Sequence, residues 1–152
     1  MNSGFGDKLN VGDISDNAFW QALDKLVSES KIVIDRSKGS RHPKYSDYIY
    51  PIDYGYLKNT SSMDGGGIDV WKGSDGDYID AIICTVDLLK RDSEMKILVG
   101  CNENEKRLVL DFHNKSEYMK GILMRRSEDR GDRFVVLIYL MQYKLAKGVY
   151  EH

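Results

Sequence analysis

Cysteine and proline are scarce: the 152-residue chain has two of each. Cys84 and Cys101 lie within apolar runs and are not in CxxC spacing. That leaves no disulfide framework and predicts two reduced core thiols in a cytoplasmic protein. Long apolar runs are missing too. The longest, 134–141, has eight residues, against the roughly 18–20 that a membrane helix needs. Residues 1–15 hold no apolar segment of the kind a secretory signal carries. Neither charge is in excess, since 22 Lys and Arg against 24 Asp and Glu give a net −2. Nothing global therefore draws the chain to nucleic acid or anionic lipid. What remains is an ordinary globular composition, 41% hydrophobic and 30% charged, long enough for a single core.

Internal repeats, low-complexity segments and linkers are absent as well. The expected organisation is a polar extension over 1–15 and a single domain over 16–152. Phe19, Trp20, Leu23, Leu26 and Val27 recur at helical spacing, which predicts an amphipathic helix over 16–30, capped by Ser15 or Asp16. Residues 31–34 read as a short β-branched strand. Residues 45–57, rich in tyrosine and split by Pro51, read as strand, turn, strand. Further strands are expected at 68–71, 77–86, 95–101 and 118–124, with a helix over 103–114. Residues 134–141 fit a buried strand or a helix equally. They could finish the core or cover a subunit interface, which leaves a homo-oligomer open. At least five short strands with peripheral helices indicate an α+β domain built round a small barrel or curled sheet.

Charge is sorted along the middle of the chain. Arg36, Lys38, Arg41, His42 and Lys44 follow one another without an acid among them. Next stand five of the ten tyrosines: Tyr45, Tyr48, Tyr50, Tyr54 and Tyr56. Residues 64–92 then hold seven aspartates, no glutamate and three cations, a net of −4. Asp64, Asp69, Asp87 and Asp92 sit at turns or strand ends within apolar sequence. Turn chemistry accounts for one or two of them. Four suggest hard oxygen ligands for Mg²⁺, which takes few protein carboxylates and completes its shell with water and phosphate oxygens. Cations and phenol hydroxyls on the facing wall would hold the rest of a phosphate.

Other motifs are weak. The glycines 65–67 lack the Lys-Ser/Thr of a P-loop and the spacing of GxGxxG. An EF-hand starting at Asp64 fails at its third and fifth positions, Gly66 and Ile68. His42, His113 and His152 make no zinc spacing. His113 closes the predicted helix, where a capping or solvent-facing role is expected. No Ser or Cys is placed for a nucleophilic triad.

Tyr50-Pro51-Ile52-Asp53-Tyr54-Gly55-Tyr56, then Thr60, then Asp64-Gly65-Gly66-Gly67-Ile68-Asp69-Val70 resembles the soluble family I inorganic pyrophosphatases. Their signature is a Tyr-Pro-x-Asn/Asp-Tyr-Gly stretch followed by a three-aspartate Asp-x-Asp-Pro-x-Asp-Val motif. Upstream, Ile34-Asp35 and Lys44-Tyr45 match the family's acidic residue and its phosphate-binding lysine nine positions on. Downstream, Asp87 and Asp92 keep the five-residue spacing of its second metal-binding aspartate pair. Lys96 follows where another phosphate-binding lysine belongs, two residues later than in the longer enzymes. The resemblance covers about 70 residues, 31–100.

It implies a small five-stranded OB-like β-barrel flanked by helices. It also implies Mg²⁺-dependent hydrolysis of diphosphate, or of a related phosphoanhydride, by metal-activated water, with Mn²⁺ as a substitute metal. Carried over by position, Asp64, Asp69 and Asp92 correspond to the trio that holds the tightest metal. Asp87 corresponds to a ligand of an additional metal, and Asp35 stands where the family has a Glu of similar duty. Lys44, Tyr54 and Lys96 correspond to phosphate contacts and, with Asp69, to the catalytic set. Tyr143-Lys144 resembles a Tyr-Lys pair on the family's C-terminal helix and would join the substrate contacts.

Three departures bear on activity. Gly66 takes the place of the middle aspartate, the carboxylate used near the nucleophilic water as general base. Ser46 replaces an acid two residues after the phosphate lysine. The segment between Tyr45 and Tyr50 is short, so a hairpin with its phosphate-binding arginine is missing; Arg36, Lys38 or Arg41 could substitute. A positioned base contributes about 10²–10⁴-fold, so the expectation is metal binding with slow turnover. The alternative is a non-catalytic homologue that binds a phosphorylated ligand or a protein partner. An OB-type nucleic-acid binder, stacking bases on tyrosines 45–56, is disfavoured by the aspartates beside that surface.

Overall fold

The computed structural model describes residues 11–127, with side chains from residue 17 onward. The first helix, α1, spans Val11–Ser28. The expected start at residue 16 falls inside it. Trp20 and Leu23 bury one stripe of it against the sheet, while Phe19 and Leu26 stay partly exposed. Six strands and a second helix follow in the order β1 Ile32–Arg36, β2 Asp53–Leu57, β3 Asp69–Lys72, β4 Ala81–Asp87, β5 Asp92–Val99, α2 Glu103–Asn114 and β6 Met119–Arg125.

The strands form one mixed sheet, β1-β2-β3-β5-β4-β6, and the architecture is α+β. Only β3 and β5 run parallel; the other neighbours are antiparallel. The sheet has one strand more than the five expected. No ladder joins β1 to β6 among the described residues, so it is open there rather than closed into a barrel. β6 instead pairs along the whole of β4, from Ala81 opposite Arg125 to Asp87 opposite Met119. The expected strand at 45–50 is a loop with a single bridge, Arg41 to Ile49. Pro51 has no N–H to give a ladder, and pairing begins at Asp53. β1 and β2 approach closely enough that a Cβ on Gly55 would lie 1.8 Å from the Val33 carbonyl oxygen.

Alternation along the strands sorts side chains to two faces. Leu57, Val70, Ile82, Ile97 and Val99 meet Trp20 and Leu23 under α1. Trp71, Ala81, Ile83 and Leu98 meet Val109 of α2, with Tyr50, Ile52 and Cys101 filling the flank. Each such large side chain, fully buried, contributes about 1.5–3 kcal/mol. α2 starts on a reciprocal cap: the Glu105 amide donates to Asn102 Oδ1 at 2.9 Å, and the Asn102 amide donates to Glu105 Oε1 at 3.0 Å.

His113 departs from expectation. It is 3% exposed, and its Nε2 accepts from the Trp71 indole at 3.0 Å. Burial, with the Lys96 charge second, lowers its pKa to about 3, so the ring is neutral. The last turn of α2 leans on β6, where Gly121 leaves room for it. Cys84 and Cys101 are free thiols, the first half-buried and the second buried. Burial pushes the Cys101 thiol up to about 12. No helix of the described residues is long and apolar enough to cross a membrane. The apolar run 134–141 and the pair Tyr143-Lys144 lie outside the described residues.

Candidate metal and phosphate site

Period-two alternation places Asp92, Glu94, Lys96 and Leu98 of β5 on the α2 face. Leu98 belongs to the core, and the row turns charged on leaving it. β3 lies parallel with Val70 opposite Ile97, which sets Asp69 level with Lys96. β2 places Tyr54 opposite Trp71 and Tyr56 opposite Asp69. Three strands thus deliver side chains to one point. Lys96 Nζ donates to Asp69 Oδ2 at 2.6 Å, to Glu94 Oε2 at 2.7 Å and to the Tyr54 hydroxyl at 3.2 Å.

Lys96 is 5% exposed, while the Asp69 and Glu94 side chains are 29% and 23% exposed. The ammonium therefore lies beneath its carboxylates as seen from solvent. Burial pulls the lysine pKa down, but the Asp69 and Glu94 carboxylates, with the Tyr54 oxygen that accepts from the ammonium, outweigh it and hold the group protonated, well above the usual lysine range. Burial likewise raises Tyr54, against the pull of Lys96, so it stays a phenol. One ammonium and two carboxylates leave this cluster at −1.

The basic loop lies against the same face through its aromatic rings. Tyr50 packs on Tyr54, Trp71 and Phe112 at 5.3–5.8 Å between centroids, and His42 stacks on Tyr50 at 6.2 Å. His42 Nδ1 accepts from the Lys44 and Tyr45 amides, both at 3.1 Å. Burial first, then Arg36, Lys90 and Lys44, lower its pKa. Lys44 itself is exposed, 5.5 Å from the centroid of the Tyr45 ring. Arg41 donates to the Ser46 carbonyl at 2.9 Å and closes its own loop.

The other expected metal ligands do not join Asp69. Asp64 is exposed, and its Oδ1 accepts from the Ser62 hydroxyl at 2.6 Å and the Gly66 amide at 3.0 Å. Those bonds, Ser62 first, lower its pKa and fit an acid that shapes a turn. Asp87 Oδ1 accepts the Leu89 and Lys90 amides in the β4–β5 turn. Asp92 stands opposite Asp87 at the end of that hairpin. At the strand rise it lies about 13 Å from Lys96, against about 7 Å for Glu94. Asp35 is exposed at the irregular step between Ile34 and Arg36 on the edge strand. Among the described residues, no three Asp, Glu, His or Cys side chains gather so as to hold one metal ion.

Two do converge. Asp69 and Glu94 each present one oxygen within 2.7 Å of the Lys96 nitrogen. Mg²⁺ needs only one or two protein carboxylates when phosphate and water complete its shell, so this pair has the right donor chemistry. Glu94 is the residue that sequence reasoning missed. Its signal is the period-two alternation of a strand: it lies two positions before Lys96, on the same face.

No known family's sequence profile matches the chain, and no curated protein matches it. Solved structures similar to it include an inorganic phosphatase from Anaplasma phagocytophilum, 14% identical over 62% of this chain and 81% of that one, TM-score 0.44. An inorganic pyrophosphatase from Helicobacter pylori is 14% identical over 77% and 95%, TM-score 0.43. One from Coxiella burnetii is 12% identical over 65% and 84%, TM-score 0.40.

Proposed function

We propose that this chain is a Mg²⁺-dependent hydrolase of diphosphate, or of a related phosphoanhydride, working at the cluster of Asp69, Glu94, Lys96 and Tyr54. The observation that carries the reading is the convergence of two carboxylates, an ammonium and a phenol on one half-buried point beside a cationic loop. A metal held by Asp69 and Glu94 would neutralise phosphoryl oxygens and lower the pKa of a bound water. The chain's own groups do the rest. Tyr54, kept as a phenol, offers a donor to a phosphate oxygen. Lys96 offers its charge to the leaving phosphate, and Lys44 and Arg41 supply further positive charge from the loop. Asp64, Asp87, Asp92 and Asp35 remain proposed ligands of additional metals, and Tyr143 and Lys144 proposed substrate contacts, from the family resemblance alone.

The test is phosphate release from diphosphate in Mg²⁺ and again in chelator. Release should depend on the metal and fall by about 10²-fold or more in Asp69→Ala, the scale of losing a centrally placed electrostatic group. Undiminished release by Asp69→Ala rejects the reading.

Gly66 favours a second reading, a homologue that binds a phosphorylated ligand without turnover. Gly66 brings no carboxylate to the turn, and its amide is engaged by Asp64. This reading predicts stabilisation by ligand, about 2.7 kcal/mol at a hundred times Kd, with no phosphate released.

A further inference from the structure

A lysine ammonium has three N–H donors, and in Lys96 all three go to the protein: to Asp69, Glu94 and Tyr54. While those bonds stand, Lys96 has no donor left for a phosphate. The same bonds take one oxygen from each carboxylate suited to a divalent ion. An ammonium and a divalent cation repel strongly at contact distance in a half-buried site, so the two cannot share that pair of oxygens cheaply. We propose that Lys96 is the resident counter-cation of this site, exchanging with a divalent ion for Asp69 and Glu94. Metal loading then frees the ammonium to face the phosphate.

The inference rests on the metal reading of Asp69 and Glu94 given above. It makes Lys96 a positioning residue whose availability is conditional. Without metal the ammonium is locked and the cluster is closed to anions. With metal, the carboxylates are neutralised from the solvent side, where they are exposed, and the lysine is released from beneath. Linkage then requires the reverse effect: a phosphate that engages Lys96 tightens the metal.

Amine labelling of the wild-type chain, followed residue by residue with and without Mg²⁺, reads the exchange without relying on activity. Lys106 is the internal reference, since it is as deeply buried and also bound by two carboxylates, Asp80 and Glu103. Mg²⁺ should raise labelling of Lys96 and leave Lys106 unchanged. In a calorimetric Mn²⁺ titration, Lys96→Met should bind about ten- to a hundredfold more tightly than wild type, the range in which groups behind metal ligands tune affinity. Mn²⁺ binding with equal affinity in both chains, and no change in Lys96 labelling, overturns the exchange while leaving the metal reading intact. No Mn²⁺ binding by either chain overturns both. If Lys96→Met does not fold, the labelling of wild type decides alone.

Discussion

Lys106 and Lys96 are both nearly inaccessible, with side chains 2% and 6% exposed, and each ammonium is bound by two carboxylates within 2.9 Å. Their surroundings differ in sign. Lys106 joins Asp80, just ahead of β4, to Glu103 on the first turn of α2, and Glu103 also takes Arg125 at the end of β6. Two cations meet two anions, and the cluster is neutral. Hydrogen bonds from Arg125 and then Lys106 lower the Glu103 pKa to about 2. Around Lys96 the described ion pairs of Asp69 and Glu94 are with that lysine alone. A charge-balanced cluster fastens a helix to a sheet, although Asp80 Oδ1 is buried in it without a hydrogen-bond partner among the described residues. An unbalanced one, with one more anion than cation, has room for another cation.

Gly66→Asp has the largest expected effect, since it restores the carboxylate that the family resemblance expects at this turn. A Cβ at Gly66 meets only the Asp64 side chain, 3.3 Å away, and that side chain can move. If a missing base is what limits turnover, the variant should release phosphate about 10²–10⁴-fold faster than wild type. No gain in a steady-state assay removes the base from the account.

Lys96→Met tests the comparison through stability. It strands two partly buried carboxylates and should cost about 3 kcal/mol in metal-free buffer, seen as an earlier urea midpoint. Mg²⁺ should restore much of that loss. Lys106→Met should also destabilise the chain, by about 1–2 kcal/mol since its carboxylates are better solvated, and Mg²⁺ should restore none of it. Equal rescue of both variants breaks the distinction.

A smaller effect reports on the buried ring beside the site. Folded His113 titrates near 3, whereas an unfolded histidine titrates near 6.5. Below pH 6.5 the unfolded chain therefore takes a proton that the folded chain refuses, and stability falls as pH falls. Between pH 7 and 5 the loss should be about 2 kcal/mol. Urea midpoints at pH 7 and pH 5 should show that slope in wild type and lose it in His113→Gln, which keeps an acceptor for the Trp71 indole.

Much of the fold was legible because apolar runs with clear periods became the elements they suggested. α2 spans the expected residues 103–114, and β4, β5 and β6 overlap their runs closely. The stretch 45–50 was misread because tyrosine favours strands, while here Tyr48 and Tyr50 use their rings to pin a loop on Phe112 and Trp71. His113 could not be read at all, since its partner Trp71 lies 42 positions earlier and only the packing of α2 on the sheet joins them. In the candidate site, motif spacing pointed to Asp69, Tyr54 and Lys96, and the structure brings these three together. Asp64 and Asp87 are engaged in ordering turns, and sequence alone does not separate an acid that orders a turn from an acid that binds a metal. Spacing from Asp87 points to Asp92, whereas alternation from Lys96 points to Glu94, which the structure brings to Lys96.

Calorimetric titration of Mg²⁺ into the wild-type chain and into the Asp69→Asn/Glu94→Gln double variant tests the central claim most directly. The wild type should bind the ion, and the double variant should not. Equal binding by the two, or none by the wild type, would contradict the claim.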